Sequence, residues 1–331
     1  MIIRTTAYPR AALIGNPSDG YFGKTIAFTF SNFSARVTLY ESPELEIVPS
    51  RRDESTFSTI GALYEDVRLF GYYGGIRLLK SAIKTFYGYC LENAIELHDQ
   101  NFTIRYDSDI PNLVGLAGSS AIITATMRAL LAFYGVTVPK PQLANLIRAV
   151  ENRELGISAG LQDRVAQVYQ GMVYMDFAKA LIDKQGFGHY EPLQPAQLPP
   201  LYIAYRTDLS EGSEVFHNHV HERFERGEPQ VVEAMAFWAD LTVQAKDALA
   251  RGDWPRLAEL MDANFDKRKQ VFSLSEGNLR MVATARSVGA SAKFTGSGGA
   301  IIGVYADEAM FRKLAEAFAS QNVCVFKPAL I

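Results

Sequence analysis

The chain is poor in the features that mark secreted, membrane-spanning or nucleic-acid-binding proteins. It has only two cysteines in 331 residues, Cys90 and Cys324. Both lie in apolar runs without metal-ligand spacing, so neither a disulfide framework nor a zinc site is written into it. No apolar run reaches the roughly 18 residues of a membrane-spanning helix, and Met1-Ile-Ile-Arg-Thr lacks the apolar stretch of a signal peptide. An excess of charge of one sign is missing too. The net charge is −3, which gives no basic footprint for nucleic acid or anionic membrane. There is no internal repeat, no low-complexity tract and no Gly-x-x-x-x-Gly-Lys-Ser/Thr phosphate loop. These absences lead to the expectation of a cytoplasmic protein with no membrane or nucleic-acid partner. Without a sustained heptad pattern the oligomeric state stays open.

What is present is the composition of an ordinary globular protein, long enough for one large or two medium domains. Strand-forming residues dominate Ile2–Ala7, Ala11–Ile14, Thr25–Phe30, Ala35–Tyr40 and Glu44–Val48. From Tyr73 the apolar set Ile76, Leu79, Ile83, Phe86 and Cys90 recurs at steps of three and four, which predicts an amphipathic helix. Phe102–Tyr106 reads as a strand. A further helix is expected from Pro141 to Glu154, with Glu151 at the edge of its buried stripe, and residues 157–165 read as a loop. After a strand at Met172–Phe177, the glycines and prolines of 178–200 mark the expected boundary between domains 1–190 and 191–331. The second part reads as a strand at 201–205, helices around 211–226, 229–250, 253–273 and 277–288, and strands 290–294 and 300–305 flanking Thr295-Gly-Ser-Gly-Gly299. A helix at 307–320 and a last strand at 323–326 complete it. Grouped rather than strictly alternating helices predict an α+β protein in two layered domains.

Between the strand ending near Tyr106 and a helix pattern over Ile122–Tyr134 lies Pro111-Asn-Leu-Val-Gly-Leu-Ala-Gly-Ser-Ser-Ala121. Small residues at the entry to a helix leave backbone N–H groups and the positive end of the macrodipole open to an anion such as a nucleotide phosphate. Ser119 or Ser120 is placed to cap the helix or to offer a hydroxyl to a metal. A plain capped helix after a glycine turn fits the same residues. Taken singly, Arg10 reads as a surface charge, Asp19 as an Asx turn, and Glu151 and Asp163 as solvated acids. His217, His219 and His221 read as a polar helix face rather than a metal site. Phe57 and the Tyr72-Tyr73 pair fit either the core or a ligand pocket.

Three segments together say more. Arg10-Ala-Ala-Leu-Ile-Gly-Asn-Pro-Ser-Asp19, the 111–121 stretch and Lys293-Phe-Thr-Gly-Ser-Gly-Gly-Ala300 resemble, in order and placement, the three motifs of the GHMP kinases. The segment from Glu151 to Asp163 is similar to the acidic segment of the sugar kinases in that family. The wording of Gly15-Asn-Pro-Ser-Asp19, Gly71-Tyr-Tyr-Gly-Gly-Ile-Arg-Leu-Leu79, Gly115-Leu-Ala-Gly-Ser-Ser120 and Ala159-Gly-Leu-Gln-Asp-Arg164 is closest to the family's glucuronokinase group. Ala117 is one residue extra in the usual Gly-Leu-Gly-Ser-Ser, and Asn16-Pro17 stands where galactokinases carry Glu-His. Both departures point away from galactose and toward the uronate-kinase branch.

The resemblance implies a two-domain GHMP-kinase-like fold, with an N-terminal S5-domain-2-like layer, a C-terminal ferredoxin-like layer and the active site in the cleft between them. It implies an ATP-dependent sugar 1-kinase acting on a small-molecule sugar or uronate, D-glucuronate first. On it, Gly115, Leu116, Ala117, Gly118, Ser119, Ser120 and Ala121 would cradle the ATP phosphates, and Ser119 with Glu151 would hold Mg²⁺. Asp163 would take the C1 hydroxyl proton, with Arg10 beside it keeping it ionised and stabilising the phosphoryl group in transfer. Asp19, Gly296, Ser297 and Gly298 would meet the sugar. The cation that would read a C6 carboxylate stays open among Lys24, Arg68, Arg77, Arg164 and Arg206. Another sugar (galacturonate, or a neutral hexose such as mannose), a decarboxylase and a silent sugar/ATP sensor also stay open.

Overall fold

Alternation along Ala35–Ser42 and Asn101–Ser108 turns Val37, Leu39, Ile104 and Tyr106 to the buried side, with Val37 opposite Tyr106 and Leu39 opposite Ile104. In the computed structural model these strands lie in a four-stranded sheet ordered Ile2–Ala7, Ala35–Ser42, Asn101–Ser108, Glu46–Val48. Only the last pairing is parallel. The structure describes residues 1–50, 53, 57–70, 74–206 and 220–331, and the backbone alone for Asp66 and 68–70. Helices Gly75–Glu92 and Gly118–Tyr134 bury Leu78, Leu79 and Phe86, and Ile123, Met127 and Leu130, against each other, the second also packing on the sheet. These elements belong to a first compact unit of residues 1–9, 33–110 and 117–168.

The second unit comprises residues 10–32, 111–116 and 169–331. It has two antiparallel sheets, ordered Arg10–Ile14, Lys24–Thr29, Met172–Asp176, His189–Leu193, and Lys293–Phe294, Ala300–Val304, Leu201–Tyr205, Cys324–Phe326. The Arg10–Ile14 strand slips register between Ala12 and Ile14, a bulge just before the Gly15 turn. Helices Pro229–Arg251 and Trp254–Val271 pack together, each with proline in its first turn, where the missing N–H costs nothing. The fully buried Trp238 donates its indole N–H to the Asn264 carbonyl at 3.0 Å. Beneath the second sheet, Tyr202, Phe265, Met281, Phe294, Leu314 and Phe318 form a continuous core.

The α+β expectation holds, and most elements lie within a few residues of their expected bounds. Four differences matter. The helix expected from Ile122 starts at Gly118. The helix expected to Glu154 is α-helical over Lys140–Ala149 and widens into a π turn over Val150–Glu154. Residues 157–165 are not all loop, because a helix runs over Gln162–Tyr169, burying Val165, Ala166 and Val168. The 178–200 stretch holds a helix, Lys179–Gln185, and a strand, His189–Leu193, that pairs with Met172–Asp176. Tyr72, Tyr73, His217 and His219 lie outside the described residues. His221 is exposed and pairs with Glu225 at 3.1 Å, as on a polar helix face. No helix among the described residues is long and apolar enough to cross a membrane.

In the sheet that carries the third motif, Gly303 lets two backbones meet. A Cβ there would lie 1.6 Å from the Ser291 carbonyl oxygen and 2.7 Å from the Tyr202 ring. Gly303→Ala is expected to lower stability by about 3 kcal/mol. A urea-unfolding midpoint equal to that of the wild type would contradict this packing.

Candidate active site

In the first unit, the helix of the second motif begins on a bent corner. Ala117 adopts the left-handed conformation at φ 61°, and the first helical bond runs from Ala121 N–H to its carbonyl at 3.1 Å. No side chain caps this N-terminus. Neither serine acts as the expected cap: the Ser120 hydroxyl donates back to the Ala117 carbonyl at 3.2 Å, and the Ser119 hydroxyl turns to Glu151. Gln167, fully buried, also reaches the Ala117 carbonyl, at 2.9 Å. The N–H groups of the first turn therefore lie at a dipole-positive end without a side-chain cap.

Glu151 is 1% exposed, deeper than the stripe edge the sequence suggests. It lies in the π turn, the kind of local widening that recurs at functional sites. Its Oε1 accepts from the Ser119 hydroxyl at 3.0 Å; its Oε2 accepts from Arg164 Nε at 2.8 Å and from Nη2 of the same guanidinium. Arg164 Nη1 reaches the Gly160 carbonyl at 3.0 Å and Asp163 Oδ2 at 3.3 Å. One buried guanidinium thus bridges both acids. Asp163, in the first turn of its helix, is the more open of the two, with a side chain 19% exposed against 2% for Glu151. Arg164 is committed to these acids and Lys24 to Asp176, so neither is spare for a substrate carboxylate. Arg77 and Arg206 are half-buried, and the side chain of Arg68 is not described.

In the second unit, Arg10 is 5% exposed rather than a surface charge. Its Nη1 donates to the carbonyls of Gly115, at 2.6 Å, and Thr295, at 2.9 Å. Gly296 lies flat against this guanidinium: a Cβ there would sit 3.0 Å from it and 2.5 Å from the Gly115 oxygen. The second-motif glycine and the third-motif loop are thus brought together around Arg10. Asn278 accepts from Gly299 N–H at 3.0 Å and so ties the loop to the start of helix Glu276–Ser287. The first-motif turn carries Asp19, partly exposed, on a short helical turn Ser18–Tyr21. Burial, helped by the Asp19 charge and opposed by Arg268, pushes the Tyr21 phenol up to about 12.

Lys293, 1% exposed, donates to the carbonyls of Ala12 at 2.7 Å and Phe294 at 2.8 Å. Burial, reinforced by Arg268 and Arg10, holds it well below the ordinary lysine range. An uncharged amine has two hydrogens, enough for both carbonyls. Gln167, Asn264, Arg268, Asn278 and the role of Arg164 were not legible as site features. The one available signal was polar residues at core positions of an apolar helix face, as at Asn264 and Arg268.

Two family models match the chain: "GHMP kinases N terminal domain" over residues 77–171 and "GHMP kinases C terminal" over 245–323. The chain is 44% identical over 305 residues to Glucuronokinase 1 of Arabidopsis thaliana, covering 91% of this chain and 84% of that protein. It is 45% identical over 303 residues to Probable glucuronokinase 2 of the same organism, covering 89% and 82%. Among solved structures it is similar to the mevalonate kinase of Methanococcus jannaschii, with a TM-score of 0.73 at 19% identity over 100% of this chain and 98% of the other. The galactokinase of Lactococcus lactis complexed with galactose gives 0.75 at 15% identity over 99% and 93%.

Two predictions come from the buried charges. Arg164→Met strands the Glu151 carboxylate in the interior and is expected to cost about 3–5 kcal/mol, with the Glu151→Met/Arg164→Met double variant recovering part of it; strictly additive urea-unfolding losses would argue against a coupled pair. For Lys293 the folded pKa lies below the unfolded one, so the unfolded chain holds more protons and stability rises as pH climbs toward 10.5. Urea midpoints compared between wild type and Lys293→Met should diverge in favour of the wild type with rising pH; parallel curves would contradict it.

Proposed function

This chain belongs to the GHMP kinases, and from that membership we propose that it transfers the γ-phosphoryl group of ATP to the anomeric hydroxyl of D-glucuronate, giving D-glucuronate 1-phosphate and ADP. The observation that carries the proposal is the 44–45% identity to two glucuronokinases along about nine-tenths of the chain. The cluster of Ser119, Glu151, Arg164 and Asp163 supports turnover rather than silent binding, because the buried Glu151–Arg164 ion pair is costly to retain without use.

Phosphoryl transfer is mostly positioning and charge neutralisation. In the proposal, Gly115, Leu116, Ala117, Gly118, Ser119, Ser120 and Ala121 receive the ATP phosphates, with the uncapped N–H groups of the helix start as donors. The donors also fit Mg²⁺. The Ser119 hydroxyl and Glu151 Oε1, 3.0 Å apart, are the hard oxygens that would hold such a cation. Bound there, Mg²⁺ would supply neutralisation of phosphate charge, while Arg164 keeps the other Glu151 oxygen in place. Asp163 accepts the C1 hydroxyl proton, its side chain partly exposed and held by Arg164. Arg10 stabilises the charge of the phosphoryl group in transfer. Asp19, Gly296, Ser297 and Gly298 bind the sugar. Two modules, 1–190 and 191–331, and a cytoplasmic setting belong to the same proposal.

Asp163→Asn is expected to keep its circular-dichroism spectrum and lose about 10²–10⁴-fold in kcat; wild-type turnover would remove Asp163 from the proton path. In an ADP-release assay over a panel of uronates and neutral hexoses, D-glucuronate should give the highest kcat/KM. Faster turnover of galacturonate or mannose would reassign the substrate, and no sugar-dependent ADP would favour a silent sensor.

A further inference from the structure

Helix Trp254–Val271 carries two polar side chains on its core face. Asn264 and Arg268 lie one helical turn apart, 1% and 3% exposed, among Leu257, Leu260, Met261, Phe265 and Val271. An amide and a guanidinium are expensive to bury there unless their hydrogen bonds are made. Four of these bonds are made to the backbones of two glycine-bearing loops. Asn264 Oδ1 accepts from Gly15 N–H at 2.8 Å, and its Nδ2 donates to the Asn16 carbonyl at 3.0 Å. One turn further, Arg268 Nη1 donates to the Gly296 carbonyl at 2.9 Å and Nη2 to the Ser297 carbonyl at 3.2 Å. The guanidinium carbon lies over the rings of both Phe272 and Phe294, 5.1 Å from each centre. Asn16 Nδ2 closes the circuit, at 3.4 Å from the Phe294 carbonyl and 3.3 Å from that of Gly296.

We propose that Asn264 and Arg268 are positioning residues of the kinase reaction: from one helix face they fix the first-motif turn and the third-motif loop relative to each other, and thereby the acceptor-sugar site. This rests on the reading that those two loops meet the sugar. The geometry has a directional consequence. The Gly296–Ser297 and Ser297–Gly298 peptides are trans, so drawing both carbonyls toward Arg268 turns the N–H groups of Ser297 and Gly298 away from it. At the other end, Asn264 holds both sides of the Gly15–Asn16 peptide, where Gly15 at φ 88° begins the turn that carries Asp19. A side chain at Gly15 would meet the Lys24 carbonyl at 2.2 Å, so this turn has no room to shift on its own.

The test uses the full chain with Arg268→Lys, which keeps the charge but loses the fork, and Asn264→Leu, which keeps approximate volume but loses both bonds. Hydrogen exchange of the unliganded protein is expected to accelerate in peptides covering 13–20 and 294–300 and to stay unchanged in the Leu201–Tyr205 strand. Acceptor-sugar kcat/KM should fall at least about tenfold, with the KM for ATP held within about twofold. Unchanged loop exchange in Arg268→Lys overturns the proposal. So does faster exchange with unaltered sugar kinetics, which would make the pair a scaffold only. If Asn264→Leu fails to fold, Arg268→Lys alone decides. A wild type that phosphorylates none of the sugars defeats the substrate reading instead; loop exchange then still decides whether Arg268 and Asn264 position the loops.

Discussion

The second unit depends on a buried guanidinium packed where no side chain would fit. Arg10 lies flat on Gly296 and bonds the carbonyls of Gly115 and Thr295, so two glycine-bearing loops from distant parts of the chain meet at backbone distance. The strand that carries Arg10 extends the same contact: Arg10 N–H reaches the Leu116 carbonyl at 3.2 Å, Ala12 N–H the Thr295 carbonyl at 2.9 Å, and Lys293 the Ala12 carbonyl. A strand of five residues thus gathers the second motif on one side and the third on the other. The glycines here are a steric requirement of close approach before they are a source of flexibility.

Charge is handled differently in the two units. In the first, two carboxylates share one guanidinium. In the second, Arg10, Arg268 and Lys293 are bonded to main-chain carbonyls, which satisfy donors but carry only partial charge. Lysine, the one of the three able to give up its proton at moderate cost, is the one pushed toward neutrality. A guanidinium keeps its charge in proteins, so positive character persists behind the third-motif loop.

Periodicity carried the fold well, because strands and amphipathic helices advertise a buried face. It failed where local composition and tertiary context disagree. Gly118-Ser-Ser-Ala reads as loop, yet the dipole-positive first turn of a helix is where small residues let a ligand approach. Gln162–Tyr169 is too short to establish a 3.6-residue period, and its first turn is polar because Asp163 and Arg164 join the cluster around Glu151. The motifs singled out Arg10 and Ser119, and the acidic segment Glu151 and Asp163, whereas their partners were hidden. Arg164 read as a possible cation for a substrate carboxylate, and nothing singled out Asn264 or Arg268, because a single sequence does not say which helix side chains meet a loop 249 or 28 residues away.

Ala117 is the clearest departure from the family pattern, and the structure explains how it is absorbed. A non-glycine residue in the left-handed region costs about 1 kcal/mol. Against that, its carbonyl accepts from Ala121 N–H, the Ser120 hydroxyl and the Gln167 amide, three donors converging on one oxygen. Gln167 also donates to the Tyr8 carbonyl at 3.1 Å, so the corner is anchored to the first unit's N-terminal segment, not only to its own helix. The extra residue is therefore taken up in a single pinned corner upstream of the helix. The N–H groups of Gly118, Ser119 and Ser120 keep the alignment any helix start gives them, and Ser119 keeps its reach to Glu151. An insertion placed one turn later would have rotated Ser119 off that face by about 100° and broken the oxygen pair.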